Sequence, residues 1–128
     1  MLEKGLKYRA ETKVDESQLA SIAGSGFVDV FATPMMIGLM EKASTYCVAD
    51  ELEAGQTTVG TKVNIEHSSA TPLGMKVWCD STLVEVDRKR LVFEVVAYDE
   101  VGEIGRGTHE RFIIEREKFQ EKANQKGR

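Results

Sequence analysis

A glutamate and a histidine set among apolar residues are the side chains of this sequence best suited to acid–base chemistry. On a helical projection, Glu41 lies within roughly 40° of Ile37 and Val48. A carboxylate in such surroundings has to find hydrogen-bond donors or take up a proton. A Glu at the rim of an apolar sector can also extend to water or pair with a cation, and on the helix pattern alone this structural role is favoured.

His67 presents the same choice on a predicted strand. It ends a row that carries Val59, Thr61, Val63 and Ile65 on one side of a two-residue alternation. A lone His in this position is more often a hydrogen-bonded structural residue than a catalyst. Its imidazole is nevertheless the side chain whose pKa best matches proton transfer near neutral pH. The pattern alone leaves both roles open.

Thr33 and the segment of residues 105–111 hold further groups that could meet a substrate. Thr33 directly precedes Pro34, which predicts a helix cap at Thr33. A hydroxyl in that position lies at the positive end of a helix, where an anion or a thioester oxygen would be stabilised. Glycines at 105 and 107 allow close approach of a backbone or ligand near His109. Arg111 could contact substrate, although pairing with a carboxylate is slightly favoured.

Several classes of function are disfavoured by what the sequence lacks. There is no Gly-x-Ser-x-Gly elbow, Walker loop, dinucleotide fingerprint or Cys/His grouping with zinc spacing. Seventeen basic against twenty-one acidic residues give a net charge of −4, which opposes a large positive face for nucleic acid. We therefore expect no metal site, no separate cofactor and no nucleic-acid partner.

The location of the protein is predicted from its cysteines and its apolar runs. Cys47 and Cys79 lack partner-like spacing, which is typical of buried thiols in a reducing compartment. No signal-peptide pattern is present at the N-terminus, and no run approaches eighteen apolar residues. We expect a cytoplasmic protein without a membrane partner.

The elements that position these residues follow from hydrophobic periodicity. A chain of 128 residues with 41% hydrophobic and 30% charged residues predicts one domain over residues 1–128. A helix is predicted from Thr33-Pro34 to about Glu53, before Gly55. A period of two predicts an edge strand at 6–14 and four further strands, and short and terminal helices are predicted near 19–22 and 116–126. The four strands are placed at about 57–69, 74–87, 90–99 and 103–115, with a possible bulge between Leu83 and Val86.

The order of these elements predicts an α+β fold. A curved antiparallel sheet of about five strands would wrap around the long helix. The apolar face of that helix is wide enough that we expect protein on most of its sides. Its members are Met36, Leu39, Met40, Ala43, Tyr46 and Cys47, extended sideways by Ile37, Val48 and Leu52.

Several ordered blocks of the sequence carry a resemblance to a known family. They are residues 30–41 (Val-Phe-Ala-Thr-Pro-Met-Met-Ile-Gly-Leu-Met-Glu), Gly60-Thr61 six residues before His67, residues 68–72 (Ser-Ser-Ala-Thr-Pro) and residues 105–111. Together they resemble the hot-dog-fold thioesterases related to fluoroacetyl-CoA thioesterase, over about residues 27–120. The resemblance implies a curved antiparallel sheet around a central helix, assembled as a homodimer or a dimer of dimers.

The resemblance also implies roles for individual residues. Thr33, Glu41 and His67 stand where the family has its catalytic Thr, Glu and His. Gly60 and Arg111 stand at substrate-side positions, and Phe27 matches an aromatic residue before the helix. Two departures bear on selectivity for a fluorinated acyl group. Pro34 replaces a glycine after the Thr, and Gly24 replaces a second aromatic residue.

The implied function is hydrolysis of a small acyl-CoA thioester to free acid and CoA, with CoA as part of the substrate. Glu41 would attack the carbonyl or act as base toward water, His67 would activate water, and Thr33 would orient the carboxylate or donate to substrate. The alternative is a module that binds or senses acyl-CoA without cleaving it. A hot-dog dehydratase fits less well, because its acid and His lie close together on one segment.

Overall fold

The computed structural model describes residues 2–128, and a five-stranded antiparallel sheet forms its frame. The strands are β1 (Lys7–Lys13), β2 (Gln56–His67), β3 (Lys76–Asp87), β4 (Arg90–Asp99) and β5 (Glu103–Glu115). The helices are α1 (Ala20–Ala23), which follows a 3-10 turn at Glu16–Gln18, then α2 (Thr33–Ala49) and α3 (Arg116–Gln125). The strand order β1-β3-β4-β5-β2 puts β1 and β2 at the two edges. The predicted α+β class, five strands and central helix are confirmed.

Helix α2 packs one apolar face on the concave side of the sheet. Its buried residues include Met36, Met40, Ala43 and Val48, each no more than 1% exposed. They meet inward-pointing residues of β3 and β4 such as Phe93, which is fully buried. The period of 3.6 on the helix and of 2 on the strands therefore identified the core.

Both ends of α2 differ from the sequence prediction. Ala32 is the residue before the first helical turn, so Thr33 is the first helical residue and makes no capping hydrogen bond. Its hydroxyl is consequently free for another partner. The helix ends at Ala49 and not near Glu53, because Gly55, with φ of +84°, lies in the connection to β2, where its carbonyl accepts the Arg116 N–H.

The expectation that protein surrounds most of α2 is wrong for a single chain. Pro34, Gly38 and Lys42 are exposed along one side, and Tyr46, predicted for the apolar face, is 52% exposed and stacks on Tyr8 of β1. The sheet covers one side of the helix and leaves the opposite side open.

A bulge in β2 also corrects the predicted face of that strand. The register with β5 shifts between Gly60 and Lys62. Thr58, only 5% exposed, therefore points inward, whereas Val59 lies opposite Phe112, which is 42% exposed. The prediction that Val59 and His67 share one face assumed a regular strand. A bulge adds one residue, so residues before it point to the opposite face from the one predicted. The predicted bulge in β3 is confirmed between Leu83 and Glu85.

Strand β2 is left uncovered on the concave side as well as along its edge. Residues 60–64 are all exposed, and Val63 is 42% exposed although it points to the same side as buried His109 of β5, its register partner. Long unpaired edges are usually covered or paired in native proteins. This margin of the molecule is therefore a surface that a further chain could cover.

Two further findings concern the cysteines and the helices. Cys47 and Cys79 are buried and unpaired, and burial raises the pKa of Cys79 to about 12. No helix among residues 2–128 combines the length and apolarity needed to cross a bilayer.

Candidate active site

Thr33 and His67 meet at the N-terminal end of α2. The first residue of the helix and the last residue of β2 are joined by a hydrogen bond of 2.7 Å between Thr33 Oγ1 and His67 Nδ1. This contact is possible because Thr33 is not occupied as a helix cap. The structure thus brings together two of the three residues assigned a catalytic role.

His67 lies in the wall of a cavity, in surroundings that favour its neutral form. Its Nε2 atom is buried without a hydrogen-bond partner among residues 2–128. Burial lowers the pKa of the imidazole below its ordinary value of 6.5, against a raising effect of a hydrogen bond with the Ser69 backbone. The cavity has a volume of about 280 Å³, and its lining includes Thr33, His67, Phe31, Ser69 and Val28. A neutral imidazole can accept a proton from a group that reaches its Nε2 atom.

A second cluster forms around Glu41 two turns further along α2. Glu41 is 44% exposed, and its Oε2 atom lies 3.8 Å from Nη1 of Arg111, whose side chain is only 8% exposed. A Cβ atom added to Gly60 would lie 2.9 Å from Glu41 Oε2 and 3.2 Å from Arg111 Nη1. The carboxylate therefore projects against bare backbone, beside a buried positive charge.

Arg111 is fixed by three hydrogen bonds besides this ion pair. Its Nε donates to Thr58 Oγ1 at 2.8 Å and its Nη2 to the Thr58 carbonyl at 2.9 Å. Its Nη1 lies 3.1 Å from His109 Nε2. Pairing of Arg111 with a carboxylate is confirmed. Thr58 was missed by the sequence analysis, because the β2 bulge that turns it inward was not predicted.

The two clusters are separate within one chain. Thr33 and Glu41 are eight residues apart on α2, which corresponds to about 12 Å along the helix axis. Gly60 and His67 are seven residues apart along β2, and His67 is its last residue. One chain therefore presents Thr33 with His67 at one place, and Glu41 with Gly60 and Arg111 at another.

Phe27 stands apart from both clusters. Its side chain is fully exposed, in a loop between Gly26, with φ of +159°, and Val28, which is 63% exposed. Gly26 and Val28 line the cavity next to Thr33, so the loop borders that space. Within residues 2–128 there is no group of three or more His, Cys, Asp or Glu residues that could hold a metal ion.

Comparison with known proteins agrees with this architecture. The family model described as fluoroacetyl-CoA-specific thioesterase matches residues 14–117. A fluoroacetyl-CoA thioesterase from Streptantibioticus cattleyicolor is 46% identical over 100 residues, which are 78% of this chain and 72% of that protein. A solved structure of the fluoroacetyl-CoA thioesterase FlK superposes with a TM-score of 0.93 at 36% identity and covers 98% of both chains.

More distant structures share the same fold. A Thermus thermophilus protein described as a thioesterase superfamily member is 27% identical, with a TM-score of 0.89 over 98% of this chain and 93% of its own. A hot-dog-like protein from Thermanaerovibrio acidaminovorans is 19% identical, with a TM-score of 0.87 over the same shares of the two chains.

The five-stranded sheet wrapped around one helix places the molecule in the class of hot-dog proteins. The relatives above that have a named activity are thioesterases. Within that class, the chain belongs to the fluoroacetyl-CoA-specific thioesterase family. The resemblance noted in the sequence is confirmed, and so is the prediction of an acyl-CoA thioesterase.

Proposed function

We propose that this protein hydrolyses a short acyl-CoA thioester, with Thr33, Glu41 and His67 as its catalytic groups. The observation that carries the assignment is the Thr33–His67 hydrogen bond at the cavity wall, which leaves the buried His67 Nε2 without a hydrogen-bond partner among residues 2–128. A binding module would not require a neutral imidazole in that position. CoA enters as part of the substrate, and the proposed reaction needs no separate cofactor.

The reaction breaks the bond between the acyl carbon and sulfur and adds the elements of water. In one route Glu41 attacks the carbonyl, CoA leaves as a thiolate, and water activated by His67 hydrolyses the resulting anhydride. In the other, Glu41 or His67 takes a proton from the water that attacks the thioester directly. The Thr33 hydroxyl donates a hydrogen bond to the carboxylate or to the substrate. At the start of α2 the backbone N–H of Thr33 can also donate to the developing oxyanion, whereas Pro34 has no N–H to offer.

Loss of catalysis in two variants tests the assignment. We expect Glu41→Gln and His67→Ala each to lower kcat by about 10² or more for acetyl-CoA and other short acyl-CoAs. Thiol release is followed with a thiol-reactive dye, and thermal unfolding shows that the variants are folded. Near-normal turnover in both variants would contradict the assignment. Binding of acyl-CoA by the wild type without thiol release, across a broad panel, would favour the sensing module.

The two chemical routes are separable by isotope labelling. Under single-turnover conditions in ¹⁸O-water, attack by Glu41 transfers label into that side chain when water opens the anhydride at the Glu41 carbonyl, so label in Glu41 establishes this route. Direct attack by water leaves Glu41 unlabelled. Mass spectrometry of the peptide that contains Glu41 reads the result.

We propose that the acyl group is short. The cavity of about 280 Å³ is slightly smaller than the usual range of ligand pockets, about 300–1,000 Å³. Gly60 and Arg111, beside Glu41, are proposed substrate-side residues, and so is Phe27, whose loop borders the cavity. With Gly24 in place of an aromatic residue in this loop, we expect acetyl and propionyl groups to be accepted as well as fluoroacetyl.

We also propose a homodimer in which the site is shared between subunits. The exposed margin of β2 supports this arrangement, since a second copy could add its own β2 antiparallel to the first. A two-fold axis near Val63 and Asn64 would place His67 close to the partner subunit's Gly60. It would bring the partner subunit's Glu41, about 12 Å from Thr33 within its own chain, toward Thr33 and His67.

Mixing inactive variants tests the shared site. Glu41→Gln and His67→Ala chains, allowed to exchange subunits, form heterodimers in which one of the two sites has both native residues. We expect recovery of about one quarter of wild-type activity in an equimolar mixture. A mixture as inactive as its components, with exchange verified by native mass spectrometry, would show that each site lies within one chain. The mass of the assembly in native mass spectrometry also distinguishes a dimer from a dimer of dimers.

A cytoplasmic location and a single catalytic domain complete the proposal. The unpaired, buried thiols of Cys47 and Cys79 are typical of a reducing compartment. Cell fractionation followed by immunodetection tests the location.

A further inference from the structure

His109 is a buried ionisable residue to which the proposed reaction assigns no role. It lies on the inner side of β5 and is 1% exposed, packed near Phe93 with ring centroids 6.5 Å apart. Both ring nitrogens have partners. Nδ1 lies 2.8 Å from the Lys62 carbonyl oxygen, and Nε2 lies 3.1 Å from Arg111 Nη1.

These partners determine the protonation state of the ring. A carbonyl oxygen can only accept, so Nδ1 carries the hydrogen and donates it to Lys62. A guanidinium can only donate, so Nε2 keeps its lone pair and accepts from Arg111. His109 is therefore neutral, with the hydrogen on Nδ1. Burial and the charge of Arg111 both favour this form, and they lower the pKa of the ring against the opposing effects of the Lys62 carbonyl and of Glu41 and Glu110.

The neutral state of His109 affects how strongly the positive charge of Arg111 acts on the Glu41 carboxylate. An acidic residue at position 109 would form an ion pair with Arg111 and reduce the positive potential that reaches the carboxylate of Glu41. A neutral acceptor instead fixes the orientation of the guanidinium through Nη1 and adds no negative charge that would offset its positive charge. With Thr58 holding Nε and Nη2, His109 completes the set of contacts that directs Arg111 toward Glu41.

We propose that His109 is a positioning residue for catalysis, acting through Arg111 on Glu41. This inference rests on the proposed catalytic role of Glu41. His109 neither touches the reacting atoms nor exchanges a proton during the reaction. Its function is to accept one hydrogen bond from a buried guanidinium that faces the catalytic carboxylate.

Two amide variants separate this role from a merely structural one. In His109→Gln the amide oxygen can take the position of Nε2 and accept from Arg111. In His109→Asn the shorter amide can take the position of Nδ1 and donate to Lys62, but it has no acceptor for Arg111. We expect His109→Gln to retain kcat within about threefold, and His109→Asn to lose about tenfold or more with KM changed less than threefold.

NMR supplies a readout that does not depend on turnover. In the wild type, ¹⁵N shifts should show a protonated Nδ1 and an unprotonated Nε2 for His109 from pH 6 to 8. The two Nη signals of Arg111 should be distinct in the wild type and in His109→Gln. In His109→Asn the Nη1 hydrogens should exchange faster with water, because the bond to Nη1 is lost while Thr58 still holds Nη2.

Two outcomes would overturn the proposal. One is an equal kcat in the two folded variants, whether both keep the wild-type value or both lose it. The other is a His109 that takes up a proton near pH 6.5 in the wild type. Failure of the proposed function looks different, because Glu41→Gln would then retain full thiol release. In that case the role of His109 in catalysis falls with it, while the NMR data still report its bond to Arg111.

Discussion

Gly60 shows how tightly the residues around Glu41 are packed. A Cβ at this position would approach Glu41 Oε2, His109 Cε1 and Arg111 Nη1 at 2.9, 3.1 and 3.2 Å. The first distance is shorter than real contacts of a Cβ atom, so some group would have to shift. The Glu41 carboxylate is the free end of a half-exposed side chain, whereas the Arg111 guanidinium is fixed by Thr58 and His109. The carboxylate would therefore move first.

We accordingly expect Gly60→Ala to lower kcat by about tenfold or more, because the carboxylate of Glu41, proposed to be catalytic, would lose its alignment. The matched control is Gly38→Ala on the exposed side of α2, where an added Cβ meets nothing within 4 Å. This control should keep its activity and gain up to about 1 kcal/mol in free energy of unfolding. Steady-state kinetics and chemical denaturation measure both variants. Unchanged kcat in Gly60→Ala would mean that the carboxylate position is not critical.

The pH dependence of the reaction follows from the lowered pKa of His67. Because burial favours the neutral ring, activity that needs a neutral imidazole persists below pH 6.5 and is lost only as pH falls through the lowered pKa. The acid limb of kcat/KM should have its midpoint below 6.5. NMR titration assigns it, since His67→Ala lacks the corresponding signal and only His109 remains. A midpoint at or above 6.5 would contradict the burial argument.

The same residue affects stability with a defined sign. The folded state binds a proton to His67 less readily than the unfolded chain does. The contribution of His67 to the free energy of unfolding should therefore be constant well above pH 6.5 and become unfavourable as pH decreases below it. His67→Ala should show a shallower decrease than the wild type in urea titrations between pH 7 and 5.

The residues assigned from the sequence differ in how far their contacts could be predicted. Glu41 and His67 were recognisable as ionisable groups in apolar rows. Their actual contacts depend on the bulge at Gly60, which sets the inward side of β2, and on Thr33 being inside the helix and not its cap. Both are local backbone details that alternation and capping preferences do not determine. His109 was noticed only through the glycines beside it.

At the scale of elements, α2 depends on one row of large side chains. Met36 is fully buried and lies against Gly105, whose missing side chain leaves room for it, since a Cβ there would lie 2.8 Å from Met36 Sδ. Met35, its neighbour on the helix, is 36% exposed. Because Met35 and Met36 have the same side chain, a comparison of their variants isolates the effect of burial on stability.

We expect Met36→Ala to lower the free energy of unfolding by about 2–5 kcal/mol, because it removes a buried side chain and leaves a cavity. Met35→Ala should change it by less than about 1 kcal/mol. Urea denaturation followed by circular dichroism compares the two. Equal losses would show that the helix packs differently from the arrangement described.

Periodicity predicted the elements well and their ends less well. The starts of all five strands fall within two residues of the prediction, because long alternating runs leave little choice. The end of α2 was placed late, since Gly55 resembles a helix terminator but belongs to the loop before β2. The position of β2 at a sheet edge, next to β5, depends on pairing between distant segments and could not be inferred from local pattern.

For the whole molecule, the exposed margin of β2 determines how stability should respond to protein concentration. A dimer formed there is stabilised by mass action, so its Tm should rise with total protein. Calorimetry over a hundredfold concentration range, with light scattering to measure mass, tests this. A Tm independent of concentration together with a monomeric mass would contradict the proposed dimer.

The 12 Å between Thr33 and Glu41 has a kinetic consequence if the site is shared. A freshly synthesised chain would be inert until it met another, so specific activity at high dilution would climb steeply as enzyme was added. Turnover would then report assembly, and the decay of activity after rapid dilution would time the separation of the two chains.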